Sequence, residues 1–190
     1  MKRKAQLFEE IYPIDQATHS YMVEVALDKY SDIFSTWDPA PFKRRELDPD
    51  LELYLEGSSD EIPYRYPIEL CFTLPSDKRN PHMEQEVRNG LKNSFVFKRY
   101  LLSKEIKQTN TRMVMYLLIG FGFLLAGTLL SNHFEGKLLL SLLADGLFIG
   151  GWVFIWEAVS LFFFTNRELY DRYRTYKRLQ SAPVIFREVE

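Results

Sequence analysis

The chain has 190 residues, 46% of them hydrophobic, with a net charge of −2 and a single cysteine. One cysteine excludes an internal disulfide framework. Residues 1–91 hold 11 Lys and Arg against 18 Asp and Glu, whereas residues 92–190 hold 13 against 8. An acidic first half argues against a nucleic-acid partner, and a basic second half suits the anionic lipids of an inner leaflet.

The first part of the chain predicts a small mixed domain. MKRKAQLFEEIYPID starts with basic residues but has no apolar core, so we expect no cleavable signal peptide. The alternation in YMVEVAL predicts a strand over 21–27. Apolar residues then recur at helical spacing from Tyr30 to Trp37, which predicts a short helix that ends at the prolines of residues 38–41.

Asp48-Pro49 has the form of an N-cap followed by proline in the first turn, which predicts a helix over about 49–56 with its end near Gly57. The acidic residues of that turn suit the helix dipole better than a metal site, since no His or Cys accompanies them. The alternation in YPIELCFTL predicts a second strand over 66–74, with Cys71 on the side away from its apolar face.

Asn80-Pro81 repeats the capping pattern, and no further proline follows until Pro183. We therefore expect one long helix to run from residue 81 through a basic juxtamembrane segment over 92–112 and onward. After the apolar runs, helical periodicity continues through Gln180, and Pro183 is expected to end the helix. VIFREV then predicts a third strand over 184–189, which would complete the sheet of an α+β head formed mainly by residues 1–91.

Two apolar runs, 113–131 and 138–164, are separated only by the loop 132–137. Each is long enough to cross a bilayer, so they predict a transmembrane hairpin rather than buried core helices. Lys and Arg are frequent before the first run and after the second, and the loop holds only Lys137. The positive-inside rule then predicts a multi-pass inner-membrane protein with both termini in the cytoplasm and an extracytoplasmic loop.

Small residues at four-residue spacing predict close helix packing in the membrane, because lipid offers no hydrophobic drive for helix association. In the second run Gly146, Gly150 and Val153 share one helical face with Glu157. Such a face predicts that copies of the chain associate through it as a homo-oligomer. The proposed helix-packing residues are Gly122, Ala126, Gly127, Gly146, Gly150 and Val153.

Two carboxylates lie within the second run, Asp145 and Glu157, and a stripe with Trp152 and Trp156 adjoins the glycine face. A charge in hydrocarbon is costly, so each acid is expected to face protein or water, or to lie near an interface and snorkel. At 1.5 Å per residue the two acids are about 18 Å apart, which excludes a catalytic pair.

Familiar catalytic patterns are absent from the sequence, including phosphate loops, nucleophile elbows and zinc-protease motifs. His19, His82 and His133 are widely dispersed, and Arg79 and His82 lie too close together for the HEPN ribonuclease motif. We therefore predict no catalytic residue, no bound cofactor and no metal site.

The segments VEVALDKYSDIFSTWDPAPFKRRELDPDLELYL, YPIELCFTLP and LFIGGWVFIW resemble an uncharacterised family of small bacterial two-span membrane proteins. The resemblance implies an N-terminal α+β cytoplasmic domain and a Gly-Trp second span, and no activity. Family members often follow Trp156 with Arg-Pro and a nearby Glu. Here Glu157-Ala158 and Ser160 stand there, so an ion pair at that place would be lost.

These observations favour a self-associating, membrane-anchored module that offers its acidic head to a cytoplasmic protein partner. The alternative is a homo-oligomeric pore or membrane-disturbing effector, in which Asp145 from several copies would line a cation path. A membrane-bound enzyme is the third hypothesis, with buried acids as its only candidates.

Overall fold

The structure is a computed structural model that describes residues 11–41, 44–133 and 138–188. The chain divides into two compact units. The head unit comprises the chain up to Tyr100 together with the chain from Tyr173 onward, and the helical unit comprises Leu101–Arg172.

The head unit contains a sheet of three parallel strands, β1 (Tyr21–Ala26), β2 (Ile68–Leu74) and β3 (Val184–Glu188), in the order β1-β2-β3. The α+β class is confirmed. The second strand begins two residues later than predicted, because the Tyr66 amide donates to the Pro63 carbonyl in a turn. Residue 189 of the predicted third strand lies outside the described residues.

Parallel strands need crossover connections. The connection from β1 to β2 contains a 3₁₀ turn (Tyr30–Ile33) and helix α1 (Pro49–Glu61). The connection from β2 to β3 carries both long apolar helices of the described residues. It contains a 3₁₀ turn (Ser76–Lys78), α2 (Pro81–His133), α3 (Leu138–Ser160), a π-helical turn (Leu161–Thr165) and α4 (Asn166–Ser181).

The core of the head unit lies on the predicted apolar face of the sheet. Leu70 and Phe72 are completely buried, and the Phe72 ring stacks on Phe186 with centroids 5.7 Å apart. The opposite face is covered as well, since Glu69 and Cys71 are also buried. Burial raises the pKa of the Cys71 thiol. Alternation alone did not predict a second covered face.

Both predicted N-caps are confirmed. The Asp48 carboxylate accepts from the amides of Asp50 and Leu51. The Asn80 side-chain oxygen accepts from the amides of His82 and Met83, at the start of the 53-residue α2. Each cap satisfies amides that a helix start leaves without an intrahelical partner.

The predicted helix over residues 30–37 is wrong beyond Ile33. The backbone there pairs with residues 46–48 instead: the Ser35 amide donates to Glu46, and the Asp48 amide donates to Ile33. Phe34 and Leu47 form an isolated antiparallel bridge. These bonds use the groups that a longer helix would need, and Trp37 is left exposed.

The predicted end of the helix near Gly57 is also wrong, since α1 continues to Glu61. The Arg178 guanidinium donates to the carbonyls of Ser59 and Ile62, each at 2.6 Å, and so caps the carboxyl end of α1. Burial lowers the pKa of Arg178. The capping residue lies 119 positions away in sequence, which local patterns do not reveal.

Two helices are long and apolar enough to cross a membrane, one within Pro81–His133 and one within Leu138–Ser181. Only 11% of each most apolar 18-residue window is buried, whereas the core helix of a soluble protein is mostly buried. The first helix continues to His133, through two residues of the predicted loop. The rest of that loop, residues 134–137, lies outside the described residues.

Candidate interaction face on the apolar helices

Within the helical unit, α2 and α3 approach most closely at glycines. A Cβ placed on Gly120 would lie 2.9 Å from the Gly151 carbonyl oxygen, and one on Gly151 would lie 2.9 Å from the Gly120 carbonyl oxygen. A Cβ on Gly127 would lie 3.0 Å from the Ala144 carbonyl oxygen. The contacts run in antiparallel order, and no larger residue fits at Gly120 or Gly151 without a shift of the helices.

This contact seam follows a period of seven residues rather than four. On α3 the buried residues are Ala144, Gly151 and Ala158, and on α2 Gly120 and Gly127 are buried. A seven-residue repeat of small side chains keeps one narrow stripe facing the partner helix. The predicted four-residue spacing does not include Gly120, Gly151, Ala144 or Ala158, which recur every seven residues on their helices.

The sequence-predicted packing residues lie mostly outside the seam. Only Gly127 lies in it; a Cβ on Gly122 or Gly146 would meet no atom within 4 Å, and Val153 is 61% exposed. A Cβ on Gly150 would lie 3.2 Å from the Phe123 ring. Ala126 is exposed. The role of these residues in association between copies stays a prediction.

On α3 the predicted face is well separated from the seam. At about 100° per residue, the stripe of Gly146, Gly150 and Val153 lies roughly 130° around the helix from Ala144, Gly151 and Ala158. We call the exposed part of α3 the outward face. It comprises Asp145, Gly146, Ile149, Trp152, Val153, Trp156 and Glu157, all exposed within the chain.

Both acids of the second apolar run belong to this outward face. Among the described residues, Asp145 and Glu157 have no hydrogen-bond or ion-pair partner. The large apolar neighbours Ile149 and Trp156 are 67% and 71% exposed. Neither acid is therefore stabilised by the part of the chain that the structure describes.

Outside the apolar runs, a polar contact joins α2 to the start of α4. The Asn166 amide nitrogen donates to the Asn110 side-chain oxygen at 2.7 Å, and both Asn166 and Thr109 are buried. Asn166 follows directly on the π-helical turn. Such a turn shifts the register of side chains on a helix, which brings a polar residue into the seam at this place.

The head unit uses its acidic residues as structural partners. The Tyr176 hydroxyl donates to Glu52 at 2.6 Å and lies 3.0 Å from Glu56, and Lys98 pairs with Glu52 at 2.9 Å. Burial and these two carboxylates raise the pKa of Tyr176 strongly. Glu52 and Glu56 of α1 therefore hold Tyr176 and Lys98 in the packing of the head.

A second buried acid, Glu84, lies at the start of α2. Its carboxylate pairs with Arg79 at 2.8 Å and with Arg88 at 3.3 Å, and the Arg88 Nε donates to the Val184 carbonyl. The hydrogen bonds to Glu84 raise the pKa of Arg79. This network ties the start of α2 to β3.

In the described parts of the chain, no three His, Cys, Asp or Glu side chains come together as a metal site. His19 and His82 lie in different segments of the head unit, and His133 ends α2. Comparison with protein-family models, with curated protein sequences and with solved structures gives no match. The functional argument therefore rests on the geometry of this chain.

Proposed function

We propose that the protein is a membrane-anchored cytoplasmic module that associates with further copies of itself through the outward face of α3. The observation that supports this is that the chain packs α3 through one seam and leaves a second, glycine-containing face with a carboxylate exposed. A bilayer around that face would surround apolar side chains and Asp145 alike.

The energetics favour a protein neighbour at this face. A carboxylate near the centre of a bilayer costs at least about 2.5–3.5 kcal/mol. Asp145 is seven residues into α3, roughly 10 Å along its axis, which is well inside a hydrocarbon layer about 30 Å thick. Gly146 beside it lets another backbone approach, so a second copy would remove the carboxylate from lipid.

The proposed orientation places both termini in the cytoplasm of a cell with an inner membrane. Lys104, Lys107 and Arg112 precede the first apolar run, and Arg167 and Arg172 follow the second. Cations at these places bind the anionic lipid headgroups of the inner leaflet. The head unit then remains in the cytoplasm, where it is available to a protein partner.

Crosslinking in native membranes tests self-association, with two glycine variants as a matched pair. Gly146→Leu adds a side chain to the outward face, where a Cβ meets nothing in the chain. We expect it to weaken the ladder of crosslinked species about tenfold, because it blocks close approach between copies. Gly122→Leu, which also points into open space in the chain, tests whether α2 joins the same interface.

Gly151→Leu serves as the opposite control, since Gly151 lies in the seam within the chain. It should disturb the packing of α2 on α3 before it affects contacts between copies. A wild-type protein that gives only monomer in native membranes would overturn self-association. So would a ladder that Gly146→Leu and Gly122→Leu leave unchanged.

A pore is the second candidate function, and the exposure of Asp145 favours it. If several copies close a ring with this side inward, the repeated carboxylates attract cations and exclude anions. Asp145→Asn keeps the shape and removes the charge, so cation conductance in liposomes should fall while the crosslinked ladder persists. Purified wild-type oligomer without conductance, with and without a head-binding partner, would contradict the pore and leave the anchored module.

A further inference from the structure

The charges of the head unit are segregated between two of its helices. The 13 residues of α1 include five acids and no Lys or Arg. On α2, residues 87–100 include four Lys or Arg and no acid. Within the chain the two helices already bond through these charges, since Lys98 pairs with Glu52 at 2.9 Å. Each helix therefore offers charge of a single sign.

Helix α1 has an exposed face that combines acids with apolar side chains. Asp50, Leu53, Tyr54, Gly57 and Glu61 are exposed, and they fall within roughly 100° of the helix circumference. Leu53 and Tyr54 are 71% and 47% exposed. A groove of about 540 Å³ adjoins them, and no Lys or Arg is among the described residues that line it. We call these five residues the acidic face.

Helix α2 has an exposed face of the opposite charge within the head unit. Lys92, Val96 and Tyr100 recur at four-residue spacing, and Phe97 lies beside them. Val96, Phe97 and Tyr100 are 47%, 57% and 63% exposed, although they precede the first apolar run. Lys92 is exposed and forms no ion pair with the described residues. We call these four residues the basic face, and such apolar patches with a polar edge are typical of protein contacts.

The two faces lie on opposite sides of the ion pair that joins the helices. At about 100° per residue, Glu52 lies roughly 150° around α1 from the acidic face, and Lys98 lies roughly 170° around α2 from the basic face. Because Lys98 binds Glu52, each face points away from the other helix. The two faces therefore do not meet within one chain, and each is free for the complementary face of a second copy.

We propose that copies of the chain contact one another head to tail, with the acidic face of one copy against the basic face of the next. The inference rests on the proposed self-association, which brings several heads together at one membrane. Opposite charges orient the contact, and burial of the exposed apolar side chains stabilises it. A symmetric contact would place like charges together. Because the two surfaces differ, the contact is heterologous and continues from copy to copy until a ring closes.

Disulfide cross-linking in native membranes tests this contact on a Cys71→Ala background. Two versions of the full chain with different tags are co-expressed, one with Leu53→Cys and the other with Phe97→Cys, and the membranes are then treated with an oxidant. We expect at least tenfold more cross-linked dimer from the mixed pair than from either version alone. The reason is that a disulfide needs Cα atoms within about 7 Å, which only the contact between unlike faces provides.

Charge reversal gives a second, independent test of the same cross-link. Asp50→Lys on the acidic face, or Lys92→Glu on the basic face, should each lower the yield of the mixed dimer about fivefold, since an attraction becomes a repulsion. Both changes together should restore the yield, which a merely misfolded head would not do. Asp77→Lys is the matched control at an exposed head position outside both faces, and it should leave the yield unchanged.

The proposal is overturned if the mixed pair gives no more dimer than either version alone, or if the combined charge variant stays as weak as the single ones. A cross-link that forms only after deletion of residues 1–10 would assign the acidic face to that segment and would also overturn it. Where the ladder that Gly146→Leu weakens persists in these cases, self-association stands and the head-to-tail contact alone is wrong. A wild-type protein that is monomeric in native membranes would overturn both.

Discussion

The head unit buries its large apolar side chains, whereas the helical unit leaves many of its own exposed. In β2, Leu70 and Phe72 are completely buried, whereas in α3 Leu139 and Trp156 are 82% and 71% exposed. Burial of the apolar strand residues stabilises the head unit in water. The helical unit leaves its apolar surface open, which is stable when the surrounding solvent is lipid.

The polar groups follow the same division. In the head, the acids Glu52 and Glu84 are paired with Lys98 and with two arginines. In α3, Asp145 has no partner among the described residues. The comparison teaches that the head unit pairs these acids within itself, whereas Asp145 of the helical unit is left for a partner outside the described residues, as the proposed self-association requires.

The largest expected effect comes from removing a core aromatic ring of the head. This change should destabilise the head unit and leave the helical unit unaffected. Phe72→Ala deletes a fully buried ring that stacks on Phe186, and such substitutions cost about 3–5 kcal/mol. We expect the head to become protease-sensitive while the protein resists alkaline extraction from membranes. If both properties change together, the two units do not depend on different solvents. Phe163→Ala, at an exposed ring of the π-helical turn, is the matched control.

A change in the seam tests the helical unit by itself. Gly151→Leu forces side-chain atoms against Leu124 and the Gly120 carbonyl, and overpacking of this kind costs about 1–3 kcal/mol. The helices should separate, which a distance measurement between labels at Tyr116 and Phe154 would report. Their ring centroids lie 5.9 Å apart in the structure. An unchanged distance would contradict the seven-residue seam.

Much of this architecture follows from local sequence. Alternation predicted the strands, and the Asp48-Pro49 and Asn80-Pro81 pairs predicted helix starts, because caps depend on residues within one turn. The chain after Ile33 was not predictable locally, since its backbone bonds with residues 46–48. The full length of α1 depends on Arg178, which local periodicity does not connect to it.

The candidate sites were less predictable than the fold. Asp145 and Glu157 stood out as charges in an apolar run, but the seam did not, because glycines at four-residue spacing concealed the seven-residue repeat. Leu53 and Phe97 looked like single apolar residues of two helices. Only the three-dimensional structure shows that both are exposed.

A smaller effect is expected at alkaline pH. Tyr176→Phe removes the hydroxyl shared by Glu52 and Glu56 and should cost about 1.5–2 kcal/mol at neutral pH. The pKa of Tyr176 is raised in the folded head. The stabilisation of the head by the protonated hydroxyl is therefore complete below about pH 10 and is lost as the pH rises further. Urea unfolding at pH 8 and pH 11 should therefore show the gap between wild type and variant narrowing; a constant gap would contradict this role.

The smallest effect concerns Asp15 at the surface. Its carboxylate accepts from the amides of Ala17 and Thr18 and pairs with Arg187, and these interactions lower its pKa. Its contribution is present above about pH 4 and is lost as the pH falls below that value. Asp15→Asn should slightly reduce head stability at pH 6, and its difference from wild type should shrink as the pH falls below about 4. Asp77→Asn, an exposed control, should differ less from wild type at pH 6.

The division between the two solvents is tested most directly by spin labels at two matched positions. On a Cys71→Ala background, labels replace Trp37 in the head and Leu143 in α3, which are 73% and 58% exposed; neither belongs to a proposed contact face. In native-like bilayers, we predict that the label at Leu143 collides mainly with oxygen, which partitions into lipid. The label at Trp37 should collide mainly with a water-soluble nickel chelate. Equal access of the nickel chelate to both labels would contradict the account, because the exposed apolar face of α3 would then lie in water.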